Sequence, residues 1–282
     1  MSLISPLATA GRADEVVQRV SQAIQLGLFV DGEQLPPETE FAAQLGVSAM
    51  TLREALATLR EQGLVETRRG RTGGTFVRRH VSPPVGMLRD RLRTMTTSAL
   101  RDLTDEQFAV SGAAAKLAAA RASSASVRRL HALVSQLAGA VSLGSQIRAD
   151  SQFHIEVAIA SQSERLARLE VGLQTQLAEL LWLPGLPGLP GKPILPVSEL
   201  TADAASAPAR SPASLGPPDV GEALDPVRAA AEHRAIAEAI AAEDGERARV
   251  LAERHVERNL RRLTALRLGM AQALSACLLR AA

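Results

Sequence analysis

The five histidines of this 282-residue chain, His80, His131, His154, His233 and His255, mark where it can do chemistry. Asp150 and His154 stand four residues apart in a stretch with helical apolar spacing, so both side chains leave one helix face a single turn apart. His233 and His255 flank a break expected at Glu243-Asp244-Gly245-Glu246, each 11 residues from Asp244. In an antiparallel helical hairpin, equal arms rising ~1.5 Å per residue bring both imidazoles to the same height on facing helices, about 16 Å from the turn. One carboxylate and three imidazoles suit a divalent metal ion, Zn2+ or another first-row dication, with positions left for water or an anionic ligand. His131 has no acidic or His partner at i±4, and His80 sits at an expected joint, so neither joins that set.

A second chemistry, phosphate and base recognition, is written in the arginines. The formal charge is only +2, with a sequence pI near 9.3, so the total does not mark a polyanion binder. Between Arg60 and Arg79, however, Arg60, Arg68, Arg69, Arg71, Arg78 and Arg79 face only Glu61 and Glu66. Aromatic residues make up 2% of the chain, which excludes base-stacking platforms; any readout rests on arginines, hydroxyls and backbone amides.

The elements that must position these groups follow from apolar periodicity and from Gly and Pro. Val16, Val20, Ile24 and Leu28 predict a first helix. Pro36-Pro37-Glu38 opens a second, ending at Gly46. Ser48 caps a third that carries Leu52, Leu56 and Leu59, and Gly63 closes it. Segments 64–68 and 75–79 predict a hairpin with Arg69 to Gly74 at its tip. Helix, tight turn, helix and basic hairpin form a winged helix-turn-helix, which inserts the start of its second helix into a major groove. The same unit used only for docking protein is the alternative.

Ser82-Pro83-Pro84 separates this domain, residues 1–81, from a linker, 82–98, with a helix joining Met87 to Leu100, and from residues 99–282. There the pattern predicts helices over 105–122, 125–143, 145–161, 164–183, 227–243 and 246–279, an antiparallel all-α bundle. A Pro-rich stretch, 184–226, interrupts it and reads as a disordered insertion. The lone Cys277 excludes a disulfide scaffold and fits a reducing cytoplasm. No window is apolar and long enough to span a bilayer, so the expectation is a cytoplasmic protein without membrane partners. A helical metal-dependent hydrolase is a further reading; its nearest general base, Glu156, leaves a different face from His154.

The run from Leu35 to Leu56, with Glu61-Gln-Gly-Leu-Val-Glu-Thr67 and Gly70 to Val77, resembles the DNA-binding domain of GntR-family transcription regulators. That resemblance implies DNA contacts from Thr39, Ser48, Ala49, Met50, Thr51 and Arg53, and from Arg69, Gly70, Arg71, Gly73 and Gly74 on the wing. Thr39 and Ala49 stand where the family usually has Arg. Downstream, Lys116–Arg121, Asp150–His154, Glu232–Ile236 and His255 resemble the FCD effector domain of the FadR subfamily. By resemblance, Asp150, His154, His233 and His255 hold the metal, which holds a small carboxylate effector. Gln107 and Ser111 take the pocket positions where Arg and Glu are usual. The chain is then a homodimeric regulator, a repressor, on a palindromic operator; a metal-stabilised regulator without effector is the alternative.

Overall fold

The computed structural model describes residues 11–29, 31–70, 73–78, 85–185 and 224–281, with side chains through 271. The chain divides after Ser82 into two compact units.

The first unit contains α1 (Arg12–Gln25), α2 (Glu38–Leu45), α3 (Ala49–Glu61), β1 (Val65–Arg68) and β2 (Gly74–Val77). Val16, Val20 and Ile24 recur every fourth residue on α1 and pack with Phe41, Leu52, Leu56 and Leu59 into one core, closed by Val65 and Val77. Two local devices aim α3. Gly46 ends α2 at φ 68°, a left-handed conformation that strains any other residue. Ser48 Oγ then accepts from Thr51 N–H at 3.1 Å, satisfying an orphan donor at the start of α3. β1 and β2 pair antiparallel with Glu66 opposite Phe76, and the Arg68 guanidinium lies 4.3 Å from the Phe76 ring centre.

In the second unit the described residues form α4 (Val85–Thr94), α5 (Thr97–Arg121), α6 (Ser124–Ala138), α7 (Leu143–Ala160) and α8 (Glu164–Leu181), then α9 (Pro226–Ala241) and α10 (Gly245–Ala281). The long helices α5 and α10 lie against one another. Small residues allow it: Ala114, Ala115, Ala118 and Ala119 are buried, and a Cβ on Gly112 would come within 2.8 Å of Glu253 Oε1. This matches the expected winged helix-turn-helix followed by an all-α bundle.

Three boundaries differ from expectation. Residues 85–94, where a linker helix from Met87 to Leu100 is expected, form the shorter α4, whose Leu88 and Leu92 are buried in the second unit's core rather than standing in a linker. The chain breaks at Met95-Thr96, where Thr96 Oγ1 caps Ala99 N–H, so α5 starts at Thr97 rather than 105. Pro226 is the first residue of α9 and not the end of an irregular stretch; Asp225 caps the backbone N–H groups of Val227 and Arg228. Residues 186–223 of the expected insertion lie outside the described residues, as do Arg71, Thr72, Arg79, His80 and the Ser82-Pro83-Pro84 joint.

Candidate metal centre and nucleic-acid interface

Four side chains expected to meet do so. Asp150 and His154 project from α7, His233 from α9 and His255 from α10, and one ligand atom from each lies within 4.8 Å of the others. All four are buried: exposure is 1% for Asp150, 6% for His154, 0% for His233 and 2% for His255. The imidazole centres are 4.9 to 5.1 Å apart, three rings around a common point. The turn that sets this height falls at Ala242–Asp244, with Glu243 at φ 57°. Phe153 stacks on the His233 ring, 4.1 Å between centres and 7° between planes, which fixes its orientation.

Several of these polar atoms have no protein partner. Asp150 Oδ2, His154 Nε2 and both His233 nitrogens are buried without a hydrogen bond. Buried polar atoms are rarely left so. His233 Nε2 and Asp150 Oδ1 approach only to 3.5 Å. His255 is different. Its Nδ1 faces Glu232 Oε2 at 2.7 Å, and a carboxylate only accepts, so Nδ1 carries the proton and Nε2 the lone pair. That lone pair accepts from Asn259 Nδ2 at 3.0 Å. A carboxylate behind an imidazole is how ligating histidines are commonly held. Arg228 and Arg258 pair in turn with Glu232. Two imidazoles and one carboxylate oxygen with partnerless atoms, beside an imidazole already in the ligating tautomer, fit a divalent cation.

Burial sets the protonation of the set. It pushes His154 and His233 well below 6.5 and lowers His255 also, so all three stay neutral. It pushes Asp150 up from 3.8 to about 6, partly countered by His255 and the Trp182 indole. In the metal-free protein the histidines are neutral when folded but protonated when unfolded below 6.5, so their contribution is lost as pH falls through that value. Asp150 works the other way, favouring the folded state at low pH and losing that contribution as pH rises from 3.8 to about 6. Metal must displace the Asp150 proton below about pH 6. The rise in melting temperature on adding zinc is therefore expected to be smaller at pH 5.5 than at pH 7.5, read by paired melts with and without metal.

Near the cluster, Ser111, Ala114, Phe153, His154, Val157, Glu170, Ile236 and Ala252 line a cavity of about 10 Å3. Ser111 Oγ donates to Glu170 Oε2 at 3.1 Å and Gln174 Nε2 to Glu170 Oε1 at 2.8 Å. Gln107 is buried one turn before Ser111, its Nε2 without a partner. Sequence reasoning missed Glu170, Gln174, Asn259, Phe153 and the role of Glu232. Only Asn259, four residues after His255, leaves a spacing signal. Glu156 points elsewhere, paired with Arg129 at 2.8 Å. His131 is exposed.

The candidate DNA-reading residues sit on an exposed edge of the first unit. Thr39 is exposed on α2, Ser48 on the turn, and Met50 and Arg53 on α3; Ala49 and Thr51 are partly covered. Thr51 Oγ1 is engaged with Ser48 Oγ at 2.9 Å. Arg53 Nε donates to Glu38 Oε2 at 2.7 Å, a pair that places the guanidinium beside the start of α2. On the wing, Arg69 and Gly70 are exposed, Gly70 at φ 114°, and Gly73 N–H donates to Gly70 O at 2.9 Å. A Cβ on Gly73 would meet Arg68 O at 2.7 Å, so the wing turn needs glycine there. Arg71 lies outside the described residues.

A winged helix-turn-helix joined to a helical unit with a buried Asp/His cluster defines a DNA-binding regulator that carries a sensing domain. Residues 12–77 match bacterial regulatory proteins of the gntR family, and residues 102–192 match the FCD domain. The second match includes Asp150 and His154 and stops before His233 and His255. The chain is 40% identical over 263 residues to the HTH-type transcriptional regulator RmpR of Mycobacterium gastri, covering 93% of this chain and 84% of that protein. It is 34% identical over 156 residues to a protein of Escherichia coli (strain K12) named for regulation of the L-lactate dehydrogenase operon, covering 54% of this chain and 59% of the other. Among solved structures, E. coli McbR/YncC is 16% identical with a TM-score of 0.45, covering 91% of this chain and 98% of that one. The chain belongs to the GntR family, with an FCD effector-binding domain. It is a DNA-binding transcriptional regulator and not an enzyme. Among the described residues no helix is long and apolar enough to cross a membrane.

Proposed function

We propose that this regulator acts as a cytoplasmic homodimer that represses transcription at a two-fold operator, with Zn2+ on Asp150, His154, His233 and His255 holding a small carboxylate effector. The observation that carries the metal part is the buried cluster of one carboxylate and three imidazoles from three helices, in which Asp150 Oδ2, His154 Nε2 and both His233 nitrogens have no hydrogen-bond partner. Bound metal would supply a fixed positive charge for an effector carboxylate. Asp150, His154 and His233 would hold it directly, and Glu232 keeps His255 in the tautomer that offers its Nε2 lone pair. Three neutral nitrogens with one carboxylate favour zinc over magnesium or calcium. On the DNA side, Ala49 to Arg53 and the wing from Arg69 to Gly74 would face the groove and phosphates, with Thr39 beside them. Effector binding changes operator affinity only through a difference in its affinity for two arrangements of the protein.

The test is gel retardation of a fragment from the protein's own promoter region, with zinc content measured on the same preparation. The expected result is salt-sensitive retardation by a species of two chains carrying one zinc per chain, weakened by effector. Retardation of no genomic fragment over another would remove the operator reading, and zinc-free protein after exposure to excess zinc would remove the metal reading.

A further inference from the structure

The first turn of α3 offers a DNA base little to hydrogen-bond with. Ala49 carries only a methyl group. The Ser48 and Thr51 hydroxyls are engaged with each other at 2.9 Å, and Ser48 Oγ also accepts the Thr51 N–H. The side chain that stands free there is apolar: Met50 is 73% exposed. Single exposed apolar residues are common on protein surfaces. Met50 differs by its place. The helix buries Leu52, Ala55, Leu56 and Leu59, and Met50 leaves the opposite side, on the face it shares with exposed Arg53 three residues on. The start of this helix is the part that a helix-turn-helix inserts into a major groove.

We infer that Met50 selects thymine, its thioether chain packed on the 5-methyl group of a T·A pair next to the pair that Arg53 reads. This rests on the reading of α3 as the groove-facing helix and adds what its leading residue recognises. In the major groove every base edge presents donors or acceptors, and thymine alone adds a methyl group. Methionine has no donor and only a weak sulfur acceptor, so against guanine, adenine or cytosine it would cover a polar edge and leave it unpaired. Against thymine, two apolar surfaces leave water together. The unbranched chain adjusts its three torsions to the fit. Residues three apart are separated by about 4.5 Å along a helix axis, close to the roughly 3.4 Å between stacked base pairs, so Met50 and Arg53 meet adjacent pairs. Readout by arginines, hydroxyls and amides, as expected from composition, thereby gains an apolar contact.

Uracil pairs as thymine does and lacks only the methyl group, so it isolates this contact. Each thymine of a specifically retarded promoter fragment is replaced singly by uracil, and affinity is measured by gel retardation for the full chain, wild type and Met50→Ala. The expected result is one thymine position at which uracil weakens wild-type binding about fourfold, the worth of one buried methyl group. The same replacement should leave the affinity of Met50→Ala unchanged, as for two groups that act only through each other. Met50→Gln, nearly the same length but ending in an amide that can pair with adenine N6 and N7, is expected to move the preference at that position from thymine to adenine. Uracil weakening wild type and Met50→Ala equally at every position, with specific retardation retained, would overturn the inference and leave the DNA reading standing. Wild-type protein that retards no fragment over another would overturn both.

Discussion

Replacing His233 by Ala is expected to abolish tight zinc binding and to remove the zinc-dependent part of the melting temperature, about 10 °C. Zinc at a thousandfold excess over its dissociation constant stabilises the folded state by about 4 kcal/mol. For a unit of this size each kcal/mol moves the melting temperature by roughly 2–4 °C. His233 is the member to remove because it is fully buried, has no hydrogen bond from either nitrogen, and is held flat by Phe153. Wild-type protein with chelator and the variant with zinc should then melt close together. A variant that still gains several degrees on zinc addition would show that the ligands lie elsewhere.

The second large effect belongs to Arg53. It is the lone cation on the exposed start of α3, so Arg53→Ala is expected to weaken operator binding roughly tenfold to a hundredfold, the worth of about 1–3 kcal/mol for one base-reading side chain. In the free protein this guanidinium is tied to Glu38. Binding that uses Arg53 on a base must therefore loosen the pair or share it. Glu38→Gln is expected to tighten binding to all sequences by a small factor and to reduce discrimination between them, measured by competition between the operator and unrelated DNA. A Glu38→Gln protein with unchanged discrimination would show that the pair takes no part in reading sequence.

The sequence carried the positions of the candidate metal ligands because their placement depends on local rules. A four-residue step places Asp150 and His154 on one face, and Asp-Gly at 244–245 fixes the turn that levels His233 with His255. The winged helix was legible for the same reason: Gly46 and Ser48 act within a few residues of where they stand. What escaped were partners joined only by the tertiary fold. Glu170 reaches Ser111 across 59 residues, and Glu232 reaches His255 across 23, with no periodicity to announce either contact. Segment 85–94 reads as a linker helix because its arginines dilute the apolar signal, although Leu88 and Leu92, four apart, bury it in the bundle.

Trp182 gives the molecule an optical consequence. It is the single tryptophan, the chain has no tyrosine, and the indole is buried at the end of α8 with its N–H near enough to Asp150 to favour that carboxylate's charge. Near-ultraviolet emission from the whole 282-residue chain therefore arises at one place, beside the candidate metal ligands. Filling or emptying that site, or reshaping it with an effector, changes the field on one fluorophore with no background from the DNA-binding unit. The protein thus carries its own titration signal, and occupancy can be followed on operator-bound protein without a label.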